Sequence, residues 1–119
     1  MTTQPTRPED QRLAVYGSLA PGCPNHHELA DLAGRWIAGT VRGGLRDEGW
    51  GSDLGYPGMV LDPDGPTQPV QLFESADLTG HWARLDGFEG PAYRRTAITV
   101  ATAEGHLPAW IYQLRLPTD

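Results

Sequence analysis

Glycine and proline interrupt this chain throughout: fifteen glycines and eleven prolines fall within 119 residues. Proline removes a backbone donor and glycine weakens helix and strand interiors, so such punctuation points to short strands joined by turns rather than to a helical bundle. The length fits one domain with a single core. Charged residues make up only 20% of the chain, which argues against wholesale disorder.

Between the punctuation marks, about six strands and two helices are expected. Leu13 to Tyr16 is a short apolar run that stops at Gly17 and reads as a buried strand. Asn25 and Glu28 have the spacing of a helix N-cap with its capping acid. Leu29, Leu32 and Ala33 follow as a helical face, with Gly34 as the C-cap. Strands are expected at Trp36–Leu45, at 59–61 and at 70–73, the last two forming a hairpin about Asp62-Pro63-Asp64-Gly65. A second helix runs from Ala76 to Phe88, weakened by Gly80 and stopped by Gly90-Pro91. Strands at 94–102 and 107–116 close the chain about a Glu104-Gly105 turn. Helices set among mostly antiparallel strands make an α+β domain over residues 12–117, preceded by a disordered lead-in over residues 1–11.

Charge and composition remove several classes of function. The net charge of −6 and the lack of a basic cluster argue against nucleic acid as a partner. All nine basic residues are arginines, so a Schiff-base lysine, a lysine nucleophile and a Walker-type phosphate loop are ruled out together. Cys23 is the single cysteine, so no intrachain disulfide can form. The polar first eleven residues make neither a signal peptide nor a membrane span, and no apolar run reaches 18 residues. A soluble cytoplasmic protein is expected.

Two segments carry chemistry. On the second helix, Leu78, Trp82, Leu85 and Glu89 follow at helical spacing, so three large apolar side chains and one carboxylate share the stripe that faces the core. Glu89 also stands at the helix C-terminus, where the macrodipole disfavours negative charge. Burial and dipole both raise the pKa of such a carboxyl, which suits general acid/base work. The alternative is a helix that ends at Asp86 and leaves Glu89 as a solvated loop residue. The other segment, Tyr16-Gly17-Ser18-Leu19, leaves the first strand through a sharp turn. Its free N–H groups and the Ser18 hydroxyl could hold a carboxylate or a developing oxyanion. An ordinary strand-to-helix turn is the alternative there. Ser18 lacks the context of a nucleophile elbow.

The remaining signals are weaker. Cys23, His26 and His27 invite a metal, but no second ligand pair follows, and an exposed helix start explains them. The four tryptophans, at 36, 50, 82 and 110, read as core or pocket wall. Alternation sends one of Arg94 and Arg95 outward and the other toward pocket or sheet.

Read together, Val15-Tyr16-Gly17-Ser18-Leu19 and Leu85-Asp86-Gly87-Phe88-Glu89-Gly90, with Tyr93-Arg94-Arg95 beyond and Tyr56-Pro57-Gly58 between, resemble the γ-glutamyl cyclotransferase superfamily, in particular its γ-glutamylamine cyclotransferase-like (AIG2-like) branch. The resemblance spans about residues 12 to 115. It implies a small, partly barrel-like sheet, a γ-glutamyl group held by residues 16–19, Glu89 as catalytic acid/base, and no metal or organic cofactor. The expected reaction is an intramolecular acyl transfer that releases 5-oxoproline and an amine from a small-molecule substrate. Tyr93 is placed to add a hydroxyl near Glu89. One departure stands out. The family's usual Gly-Glu pair before the second helix is replaced by Val70-Gln71-Leu72-Phe73-Glu74, so the substrate class is expected to differ. The short C-terminus is expected to lack a segment that closes the pocket in longer relatives. Two further readings remain: removal of a γ-glutamyl protecting group within a biosynthetic pathway, and a non-enzymatic binding module whose Glu89 is salt-bridged or solvent-facing.

Overall fold

The computed structural model describes residues 8–17, 19, 22–23, 26–46 and 58–115. Strand β1 (Arg12–Val15) is followed by a one-turn helix α1 (His27–Ala30), the long strand β2 (Arg35–Arg46), β3 (Gly58–Leu61) and β4 (Thr67–Glu74). Helix α2 (Trp82–Glu89) and the hairpin of β5 (Tyr93–Thr102) and β6 (Gly105–Leu114) complete the domain.

The sheet runs in the order β3-β2-β4-β1-β6-β5, and β5 pairs back onto β2. Five strands therefore close into a small barrel, with β3 outside the ring. All the pairings are antiparallel except that of β1 with β6. Closure depends on close approach at Gly39, opposite Thr102. A Cβ there would lie 2.6 Å from Val100 Cγ1 and 3.0 Å from the Ala101 carbonyl oxygen.

Strand alternation divides the core in two. Ala14, Val70, Leu72, Ala109 and Ile111 join Val41, Met59 and Val100 in one cluster, contributed by strands alone. Their neighbours Leu13, Val15, Phe73, Tyr112 and Leu114 form the other, with Leu29 of α1 and Trp82 and Leu85 of α2. The chain thus fills its barrel with one set of side chains and uses the next set to hold the helices.

Several expectations are corrected. The 62–65 turn exists, with Gly65 N–H donating to the Asp62 carbonyl (2.9 Å), but β3 and β4 do not form a hairpin. Both pair with β2 instead, β3 along Gly43–Arg46 and β4 along Arg35–Arg42. The Arg42 carbonyl accepts from Asp62 N–H, and Gly43 N–H donates to the Pro66 carbonyl. These two groups of one peptide unit point to opposite edges of β2, so the turn carries the chain across that strand.

The second helix does not begin at Ala76. Residues Ala76–Gly80 form a 3-10 turn capped by the Ser75 side chain, which accepts from Asp77 N–H, and the α-helix starts at Trp82. Glycine at position 80 is where the two segments separate. The first helix ends at Ala30 with Asp31 as its cap, so Gly34 lies beyond it, and the Asn25 cap falls outside the described residues. Pro8–Gln11, expected in the disordered lead-in, form a 3-10 turn. Asp10 anchors it, accepting the indole N–H of Trp82 at its carbonyl (2.9 Å) and that of Trp110 at its carboxylate (2.8 Å). Among the described residues, no helix is long and apolar enough to cross a membrane.

Candidate functional site

Helix α2 continues to Glu89. Its stripe faces inward as the spacing requires: Leu78 and Leu85 are fully buried, Trp82 is nearly so, and Glu89 is half-buried at the end. Gly90 terminates the helix, its N–H bonding the Asp86 carbonyl at 3.0 Å. Its backbone, at φ 79° and ψ −176°, lies in a region that essentially only glycine occupies. Glycine at position 90 therefore fixes Glu89 as the last helical residue. Burial pushes the Glu89 carboxyl up to about 7.

Tyr16 follows the last residue of β1 and packs against the strand-only cluster. Its hydroxyl donates to the Tyr112 carbonyl (2.6 Å) and accepts from Met59 N–H (3.1 Å). Burial raises its pKa, partly offset by the Met59 N–H, and the charges of Glu89 and Tyr93 raise it further. Tyr16, Tyr93 and Glu89 are thus electrostatic neighbours. Tyr112 belongs to the same group: burial raises its pKa first, then its hydrogen bond to Asp86, with the Glu89 charge adding to the rise.

The loop residues divide. Gly17 is half-buried in a bend, and Leu19 is buried in the helix-facing cluster. The Leu19 carbonyl lies 3.1 Å from His26 Nδ1, and the His26 ring packs on Trp36 with centroids 5.6 Å apart. Leu19 therefore acts as an anchor for the loop. Ser18 lies outside the described residues, as do Tyr56 and Pro57.

Three contributors escape a reading of the sequence. Asp86 sits one turn before Glu89 and accepts from the Tyr112 hydroxyl at 2.7 Å. Arg95 grips the same carboxylate through Nε (2.9 Å) and Nη2 (3.2 Å). Alternation did place one of Arg94 and Arg95 inward, and it is Arg95 that is half-buried. The only sequence signal for Asp86 was its place in the Glu89 motif, and Tyr112 had only its alternation in the last strand. A groove of about 600 Å³ borders this network, lined by Gly90, Tyr93, Arg94, Arg95, Tyr112 and Arg115 among others. Glu89 is not part of that lining, so the groove adjoins the carboxylate rather than enclosing it.

The departure from the family pattern also has a structural setting. Glu74 bonds Arg12 (2.9 Å) and Arg35 (2.9 Å), which hold its carboxyl below the usual range. Gln71 is exposed on β4, in register with Val15 on one side and Ala38 on the other. Among the described residues, no three metal-binding side chains lie together.

The comparisons agree with this fold. A family model described as gamma-glutamyl cyclotransferase, AIG2-like, matches residues 13–119. YkqA from Bacillus subtilis is 27% identical with a TM-score of 0.69; the match covers 89% of this chain and 36% of that protein. This chain therefore spans little more than a third of that relative's length. An AIG2-like protein from Mus musculus is 24% identical with a TM-score of 0.69, over 91% of this chain and 80% of that one. A protein from Pyrococcus horikoshii is also 24% identical, with a TM-score of 0.55 over 87% and 76% of the two chains. The last two comparisons speak to the fold alone. No curated protein sequence matches.

Proposed function

The chain belongs to the gamma-glutamyl cyclotransferase, AIG2-like family, and on that premise we propose that it releases 5-oxoproline and a free amine from a γ-glutamyl amine or γ-glutamyl amino acid, with Glu89 as acid/base. The observation that carries the reading is the half-buried Glu89 carboxyl, raised to about 7 and close enough to the Tyr16 phenol to perturb it.

The chemistry needs no enzyme nucleophile. The substrate's α-nitrogen attacks its own γ-carbonyl carbon. A new C–N bond closes the five-membered ring, the original amide C–N bond breaks, and the amine departs. The α-ammonium loses two protons on its way to the lactam N–H. Glu89 takes the first and returns it to the leaving nitrogen, and the second, released as the ring closes, departs on the amine in its ammonium form, so the carboxylate is regenerated each cycle. A carboxyl poised near neutrality can do both. The Tyr16–Leu19 loop holds the glutamyl part, either by its α-carboxylate or by stabilising the oxyanion, and Tyr93 contributes a hydroxyl beside Glu89. Positioning is the larger share of the work, since well-oriented intramolecular reactions can gain about 7–11 kcal/mol. A non-enzymatic module would be free to leave Glu89 in solvent; a carboxyl raised by burial argues against that.

The test is a panel of γ-glutamyl amines and γ-glutamyl amino acids, with 5-oxoproline followed by mass spectrometry. Wild-type protein is expected to release it from at least one class. Glu89→Gln is expected to lose on the order of 10²–10⁴-fold, the usual worth of general acid/base catalysis. Unchanged turnover in Glu89→Gln would remove the role assigned to that residue.

A further inference from the structure

We propose that Arg95, Asp86 and Tyr112 form a positioning network that sets the Glu89 carboxyl against Tyr16. The inference rests on the acid/base reading of Glu89 given above.

Helix α2 has only eight residues and carries the carboxylate on its last one. So short a helix has little stability of its own and takes its position from whatever holds it. Two buried side chains, Trp82 and Leu85, hold its inner face. Phe88 packs against the same cluster, Arg84 ties the outer face to Glu28, and on the side toward β5 the hold comes from a guanidinium. Arg95 lies 4.7 Å from the ring centroid of Trp82, the first residue of α2, and 4.7 Å from that of Trp110 on β6. From this stack its fork closes on Asp86, one turn before Glu89. A single side chain of β5 therefore holds the first residue of the helix and the one a turn before Glu89. The stack is itself fixed, because the two indole N–H groups donate to Asp10.

Tyr112 joins this clamp to the loop. Its main-chain carbonyl accepts the Tyr16 hydroxyl, and its side-chain hydroxyl donates to Asp86. One residue of β6 thus bonds the head of the loop and the carboxylate beside Glu89. In the intramolecular reaction the distance between these two halves must be kept, and a displacement of about 1 Å can cost on the order of a hundredfold. Asp86 lines the groove and already accepts from Arg95 and Tyr112, and the role assigned to it is to position the helix.

The test uses charge-conserving variants of the full chain. Tyr112→Phe deletes one hydroxyl and keeps the ring. Arg95→Lys keeps the charge but loses the planar fork and much of the stack. Turnover is expected to fall by about tenfold or more in each, with KM within about twofold. A second readout needs no activity: the Glu89 carboxyl is followed by ¹³C NMR against pH and assigned with Glu89→Gln. A helix end that loosens admits water, so the midpoint is expected to fall from about 7 toward 4.5. Thermal melts verify that Tyr112→Phe remains folded. Wild-type midpoint and turnover in both variants would overturn the network. If wild-type protein forms no 5-oxoproline, the catalytic reading fails, and the titration alone decides the positioning claim.

Discussion

Replacing Glu89 by glutamine is expected to stabilise the protein, and only above mildly acidic pH. A carboxyl that titrates at 4.5 in the unfolded chain and at about 7 in the folded one binds its proton more tightly when folded. Stability from this group is fully present below pH 4.5 and is lost as pH rises through about 7. Each tenfold change in acid dissociation is worth about 1.4 kcal/mol, so the loss amounts to about 2–3 kcal/mol for a half-buried side chain. Glutamine has the same shape and does not titrate. Urea unfolding of both proteins at pH 4 and pH 8 isolates the effect, because every other titrating group is common to both. The stability difference between Glu89→Gln and wild type is expected to shift by about 2–3 kcal/mol in favour of the variant between the two conditions. A difference that is the same at both pH values, within about 0.5 kcal/mol, would refute the raised pKa and with it the poised acid/base.

Other perturbations test the scaffold. Leu85→Ala, at a fully buried position on the stripe below Glu89, should lose about 2–5 kcal/mol in urea unfolding. Gly39→Ala puts a Cβ within 2.6 Å of Val100 Cγ1 at the barrel seam; a loss of about 1–3 kcal/mol is expected, and hydrogen exchange should show β5 loosening first. Gly90→Ala forces a side chain into backbone dihedrals of 79° and −176°. It should cost about 1–3 kcal/mol and lower 5-oxoproline release by displacing the helix end.

What was legible in the sequence was the set of features that depend on neighbours along the chain. The stripe of Leu78, Trp82, Leu85 and Glu89 follows from helical period, and it held even though the chain begins as a 3-10 turn and becomes an α-helix only at Trp82. The apolar run of the first strand was equally local, whereas its division into barrel filling at Ala14 and helix support at Leu13 and Val15 emerges only in the fold. What escaped depends on distance in the fold. Asp62-Pro63-Asp64-Gly65 has the composition of a hairpin turn, yet the strand that receives both flanks is β2, whose residues 42 and 43 lie about twenty positions earlier. Pro8–Gln11 read as part of a disordered lead-in because nothing local holds them; the partners of Asp10 are indoles 72 and 100 residues away, and Gln11 accepts from Ser75 N–H. Asp86 and Tyr112 are 26 residues apart, and no periodicity links them.

The most direct measurement is the pH dependence of kcat/KM for 5-oxoproline release, taken on wild type and Glu89→Gln with the best γ-glutamyl substrate of the panel. Free Glu89 acts as base only when ionised, so wild-type kcat/KM should rise through an apparent pKa of about 7. That limb should be absent from the residual activity of Glu89→Gln. A wild-type profile that is flat between pH 5.5 and 8.5, or a limb that survives unchanged in Glu89→Gln, would contradict the assignment of Glu89 as the acid/base.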